Sequence, residues 1–217
     1  MNAMFAAMGA GLRDIFAPRL LPLTILCVAL AFALTGAAAW AAFRYLLPLI
    51  PESGGWIGWL LDAAQALAGV GVVILAIVLA PGVSMFLGAL LFDVAAARVE
   101  KAIGAPTGRI APLHEGALNG LRIALPAIAL NLLALPLLFV PIVNVVAFLW
   151  LNGFLMGREY FSLAAVRRMG WAEARALRRR AGLRVTILGI VAAILPFVAP
   201  LYGASAMTRF VQALMGK

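Results

Sequence analysis

Residues 182–209 read GLRVTILGIVAAILPFVAPLYGASAMTR, and residues 120–158 read GLRIALPAIALNLLALPLLFVPIVNVVAFLWLNGFLMGR. Each stretch opens on Gly-Leu-Arg, runs apolar into a proline-marked turn, and returns apolar to an arginine. The turn prolines are Pro136 and Pro141 in the earlier stretch and Pro196 and Pro200 in the later one. The limb before the turn is 13 residues in one case, 123–135, and 11 in the other, 185–195. At about 1.5 Å per helical residue such limbs reach roughly 17 to 20 Å, short of a hydrocarbon core of about 30 Å. They read as re-entrant helical hairpins over 123–156 and 185–208, dipping in and returning to the same side. Broken backbone at membrane depth is tolerated only where protein buries it or where it lines a wet cavity, so the hairpins point to a path for a polar solute.

Composition places the whole chain in the same setting. Hydrophobic residues make up 65% and charged residues 12%, with a mean hydropathy of +1.09, which excludes an ordinary soluble domain. The expected class is an all-α integral membrane protein forming one membrane domain over residues 1–217. The uncharged runs 20–43 and 63–92, of 24 and 30 residues, are each long enough to cross the core. The second run is expected to continue as helix past the bilayer to about 104, with a kink at Pro81 and Gly82. Residues 1–19 place Met4, Phe5, Met8, Leu12, Ile15 and Phe16 on one stripe, as a helix lying on the membrane surface does. Residues 158–181, rich in arginine with Phe161 and Trp171 among them, read as a second surface helix, its arginines meeting anionic lipid headgroups.

Charge sets the orientation. With both hairpins re-entrant, the loop between the two spans carries Arg44 alone and the other 16 basic residues lie opposite. That asymmetry is the positive-inside pattern, with both termini cytoplasmic. A single crossing over 123–156 would export the eight basic residues from Arg158 to Arg184, and is rejected. Two full crossings in place of each hairpin leave sidedness unchanged, so only the limb lengths speak against them. The net charge of +9 belongs to these membrane-flanking clusters rather than to a nucleic-acid surface. One cysteine, Cys27, and one histidine, His114, leave no disulfide and little material for a metal site. No nucleophile with a base, phosphate loop or dinucleotide fingerprint is present, so neither enzymatic activity nor a cofactor is expected.

The pattern resembles the CysZ-type sulfate permeases and the etoposide-induced-protein-like membrane family around them. The matching pieces are Gly11-Leu12 before Pro18, Phe86-Leu87-Gly88-Ala89-Leu90-Leu91 leading to Val99-Glu100 and Gly104, and Pro141-Ile142-Val143-Asn144. The fullest runs from Ala176-Leu177-Arg178-Arg179 through Gly189 and Pro196 to Pro200 and Gly203-Ala204-Ser205-Ala206-Met207. The resemblance implies two long transmembrane helices with half-inserted pairs, and uptake of sulfate across the bacterial inner membrane for cysteine synthesis.

Proteins hold sulfate through backbone N–H groups at helix N-termini, completed by arginine or hydroxyl. Gly9, Gly11, Leu12, Arg13 and Arg19 are the candidate sulfate-binding set, since the glycines admit an anion to the backbone and the arginines neutralise it. The same residues also suit a plain surface helix against lipid phosphates. Asn131, Asn144 and Asn152 either cap the hairpin limbs or line the path, and Asn144, three residues after Pro141, is expected to be an N-cap. The cluster after Arg158 serves as a lipid anchor or attracts the anion to a pore mouth. A non-transporting membrane scaffold is the competing function. Broken hairpin backbone needs more shielding than one protomer supplies, so a homo-oligomer is expected.

Cysteine labelling tests the topology. A cysteine near Ser53 is expected to react only from the periplasm, and cysteines near Pro106, Gly170 and Lys217 only from the cytoplasm. Labelling at Gly170 from outside overturns the orientation, and strong periplasmic labelling at Leu138 or Phe197 replaces the hairpins with full crossings.

Overall fold

The computed structural model describes residues 2–46, 55–110, 112, 114, 115, 118, 119, 122, 125, 129, 130, 133, 141–195 and 197–216; side chains at 46, 55–57, 73–90, 141–145 and 148 lie outside the description. Among the described residues every regular element is a helix. In chain order these are α1 (Asn2–Phe16), α2 (Leu21–Ala41) with a π-helical tail (Ala42–Leu46), α3 (Gly55–Ala102), α4 (Pro141–Val166), α5 (Trp171–Arg180), α6 (Gly182–Ile194) and α7 (Ala199–Met215). Pro22, Pro141 and Pro200 fall in the first turns of α2, α4 and α7, where a missing N–H costs nothing and the fixed φ suits the helix.

The segment Leu21–Tyr45 is long and apolar enough to cross a membrane by length and composition. α3 is a single helix of 48 residues that begins at Gly55 and runs through Pro81 and Gly82 without a break. It stops where Gly104 takes the left-handed conformation (φ 66°) while the Ala105 N–H reaches back to the Glu100 carbonyl at 3.0 Å, a glycine-dependent C-cap.

The core is built around α7, in which every residue from Ala199 to Thr208 is buried. A helix buried on all sides needs small residues, because neighbours must approach from several directions. Gly203 lies under the ring of Tyr160 from α4, so a Cβ there meets the ring carbons. On another face, a Cβ on Gly11 of α1 falls 2.8 Å from the Ala206 Cβ and 3.1 Å from the Tyr202 ring. Tyr160 in turn stacks on Phe92 of α3 at 6.3 Å. The second close approach joins α4 to α6. Gly153 and Gly157, four residues apart, lie against Gly189 so closely that a Cβ on Gly189 runs into the α4 backbone.

Several expected boundaries shift. The stripe on α1 divides: Met4 and Ile15 are buried against the core, while Phe5 and Phe16 stay exposed. The expected surface helix over 158–181 is two pieces, because Tyr160, Phe161, Ala164 and Ala165 are core residues that continue α4 to Val166. A turn then precedes α5. The later hairpin is a helical pair, α6 and α7, whose return limb extends beyond 208 to Met215. At its turn Phe197 stacks on Phe32 at 5.3 Å, and Phe32 lies near the middle of the Leu21–Tyr45 segment. In the earlier hairpin, most of the first limb, 123–140, lies outside the described residues.

Arg167 makes the break between α4 and α5. Its guanidinium is buried and grips Glu100 of α3 (Nη2 to Oε2 2.9 Å, Nε to Oε1 3.3 Å) together with Asp93. Arg168 adds a contact to Glu100 at 3.2 Å, and the Gly108 N–H donates to Glu100 at 2.9 Å. Burial by itself raises the Glu100 carboxyl pKa, but the hydrogen bonds from Arg167 and Gly108 and the charges of Arg167 and Arg168 outweigh it and hold the group below its ordinary value. The clamp therefore fixes the end of α3 to the α4–α5 turn.

Gly189→Ala is expected to cost at least about 2 kcal/mol, because the added methyl has only backbone to push against, whereas Gly9→Ala, with open space around it, is expected to stay within about 1 kcal/mol. Melting temperature in detergent measures both. Glu100 has a folded pKa depressed below its unfolded value, so its stabilisation is complete above about pH 4.5 and is lost as pH falls through the folded pKa. Glu100→Gln, which strips the buried Arg167 of its main counter-charge, is expected to cost about 3 kcal/mol at pH 7 and to flatten the acid limb of a melting profile.

Candidate anion site

Arginine in a membrane protein is costly unless it is paired, hydrated or at the headgroup level. The described arginines separate on this criterion. One cluster surrounds Asp14, a buried carboxylate on α1. Its Oδ2 accepts from Ser205 Oγ at 2.6 Å and from Arg209 Nη2 at 2.9 Å and Nε at 3.0 Å, and its Oδ1 lies 3.3 Å from Arg19 Nη2. Arg98 donates to the Arg19 carbonyl at 2.9 Å, tying the start of α2 to α3. Here the positive charges are largely answered.

The sequence-derived set lies around this cluster but does not converge. Gly9 and Gly11 sit in the body of α1, past its first turn, where helical hydrogen bonding engages the backbone N–H groups. Gly11 is occupied in packing α1 onto α7, Leu12 packs partly buried against the core, Arg13 is exposed, and Arg19 faces Asp14. Asn131 lies outside the described residues. Asn144 falls in the first turn of α4, three residues beyond its first helical residue rather than at the cap, and its side chain lies outside the description. Asn152 is half-buried in the body of α4 beside Gly153.

The other cluster holds its arginines apart from carboxylates. A cavity of about 420 Å³ is lined by Arg122, Arg158, Arg175 and Arg178 with Phe154 and Trp171. Arg175 and Arg178, at i and i+3 on α5, share a face, and the turn after Arg167 brings that face to Arg158 of α4. Arg122 stacks over the Trp171 ring at 5.5 Å, and its carbonyl accepts from Arg158 Nη2 at 2.7 Å. Among the described residues no carboxylate lines the cavity. Burial first, and then the charge of Arg175, pushes the Arg158 guanidinium pKa below its ordinary value, with Glu159 easing it. Arg178 is lowered by burial and then by Arg158, Arg175 and Arg179, and its Nε is buried with no acceptor. Crowded guanidinium groups and an unanswered donor are features complementary to an anion. From the sequence, Arg158, Arg175 and Arg178 belonged to a cluster read as a lipid anchor or as an attractor of the anion at a pore mouth, and Arg122 was given no role. The available signal was the i, i+3 spacing of Arg175 and Arg178, but their approach to Arg158 and Arg122 is tertiary.

His114 and Glu115 are not among the residues lining the cavity. Glu115 accepts two hydrogen bonds from Arg109, at 2.7 and 2.5 Å.

Residues 7–203 match the family described as sulfate transporter CysZ/etoposide-induced protein 2.4. This chain belongs to that family. Membership in the CysZ/etoposide-induced protein 2.4 family makes it a membrane protein of transporter type, in line with its all-helical fold and apolar Leu21–Tyr45 segment. No curated protein matches the chain. The Gly203-Ala204-Ser205-Ala206-Met207 stretch is the buried centre of α7, where it packs against α1 and α4.

Proposed function

We propose that this protein is a permease of the bacterial inner membrane that passes sulfate or a similar divalent oxyanion inward, supplying sulfur for cysteine synthesis. The observation that carries this reading is the cavity with four arginines and no described carboxylate. Guanidinium forks match tetrahedral oxyanions, and a site that excludes carboxylates keeps that capacity unspent. The family supplies the substrate class.

In this reading α2 and α3 span the bilayer with both termini cytoplasmic, and the two hairpins enter halfway. Two features support the half-insertion. α6, of 13 residues, reaches roughly 20 Å, and its turn residue Phe197 stacks at mid-length on α2. The arginine cavity then lies at the cytoplasmic mouth, where the hairpin ends meet the surface helix α5. The N-terminal set of Gly9, Gly11, Leu12, Arg13 and Arg19 takes the lesser part, because an anion there must displace the Asp14 carboxylate from Arg19. A homo-oligomer completes the shielding of the hairpin turns.

Calorimetric sulfate binding and uptake of labelled sulfate into proteoliposomes test the assignment. Arg158→Gln combined with Arg178→Gln is expected to weaken sulfate binding tenfold or more, since each charge-assisted contact contributes about 1.5 to 3 kcal/mol. Arg175→Gln, an exposed position, is expected to show the same direction without disturbing the fold. Arg13→Gln with Arg19→Gln is expected to change affinity less than about threefold, consistent with exposed or already paired charges. The reverse order of effects returns the site to the N-terminal cluster, and a wild-type protein that binds no sulfate makes the scaffold the better reading.

A further inference from the structure

The arginine cavity is larger than a simple oxyanion requires. A water molecule's share of liquid volume is roughly 30 Å³, and a five-atom oxyanion fills only a few such volumes, against about 420 Å³ available. Its walls are also mixed, with Phe154 and Trp171 beside the guanidinium groups. Large, half-apolar and strongly cationic is the description of a site for an amphiphilic anion.

The surface outside the cavity has matching chemistry. On α4, Val146, Trp150 and Phe154 follow one another at i+4 spacing, and they are 67%, 54% and 37% exposed. The next residue on that ridge is Arg158, on the cavity wall. From Val146 to Arg158 the ridge measures roughly 18 Å, close to the depth of one leaflet of a core about 30 Å thick. An apolar ridge of leaflet length that ends at an unneutralised guanidinium cluster matches an acyl chain joined to a phosphate.

We propose that the ridge and cavity together bind one anionic phospholipid, with its phosphate among Arg122, Arg158, Arg175 and Arg178 and an acyl chain along Val146, Trp150 and Phe154. The inference rests on the reading of the cavity as an oxyanion station, and it adds a mode of regulation: lipid phosphate and free oxyanion compete for the same arginines. A phosphodiester carries one negative charge and sulfate two, so sulfate displaces the lipid once it is abundant, and the lipid answers the arginines when it is scarce. The buried Arg178 Nε gains an acceptor in either state.

The test uses the full-length protein in neutral detergent, where vesicle surface potential plays no part, with phosphatidylglycerol or phosphatidylcholine titrated in. Excess phosphatidylglycerol is expected to weaken apparent sulfate affinity at least fivefold, and phosphatidylcholine to leave it unchanged. Trp150→Glu, on the exposed ridge and outside the cavity lining, is expected to keep full sulfate affinity without lipid and to lose the phosphatidylglycerol effect. Native mass spectrometry is expected to show one retained phosphatidylglycerol on the wild-type protomer and none on Trp150→Glu. A sulfate affinity indifferent to phosphatidylglycerol, or an effect that survives Trp150→Glu, overturns the competition. Should sulfate binding be absent or survive loss of Arg158 and Arg178 while the phosphatidylglycerol adduct still depends on Trp150, the oxyanion reading falls and the lipid site stands.

Discussion

Close backbone approach between helices is the constraint on which the rest of this fold depends. In a membrane, helices gain nothing from hiding apolar side chains from lipid, and they associate through van der Waals contact and satisfied polar groups. Gly189 against Gly153 and Gly157, Gly203 beneath Tyr160, and Gly11 against Ala206 are the points at which this contact is made without intervening side chains. Together they hold α1, α4 and α6 around the buried α7. Of the two glycines that the sequence offered as openings for an anion, Gly11 is spent on packing against α7 and Gly9 has open space around it.

Once the helices are set, acidic residues decide which arginines are occupied. The chain has 17 basic residues and only 8 acidic ones, so many cations must go unanswered. Asp14 takes Arg209 and Arg19, Glu100 and Asp93 take Arg167 with help from Arg168, and Glu115 takes Arg109. These pairs act as fasteners between segments of the chain. The four arginines of the cavity are left over by this distribution, crowded together, with two of them lowered in pKa by burial and mutual charge. The proposed anion site thus rests on withholding carboxylates as much as on supplying guanidinium groups.

The same geometry links membrane and solute. The helical pair α6–α7 turns at the level of mid-α2, and its glycine contact with α4 holds the apolar ridge and Arg158 in one continuous surface. In the proposed topology the cavity lies at the far end of that ridge from the turn, where headgroups and the aqueous phase meet. The proposed competition between lipid phosphate and free oxyanion would reconcile the lipid-anchor and anion-attracting interpretations of the arginines after Arg158.

What the sequence by itself determined was local and periodic. Uncharged runs of 24 and 30 residues, the turn prolines at 136, 141, 196 and 200, and the short limb of the later hairpin are one-dimensional properties, and they suffice for an all-helical membrane protein of this family. The end of α3 at Gly104 was legible for the same reason, since only glycine adopts that conformation at no cost. Tertiary structure decided everything that depends on partners far along the chain. Asp14 lies 195 residues from Arg209, and Glu100 lies 67 from Arg167. Whether Arg19 or Arg178 is available to an anion therefore depends on which carboxylate the folded helices place beside it. No spacing rule carries that information, because charge pairing across helices depends on three-dimensional proximity, which here was set by glycine-mediated packing.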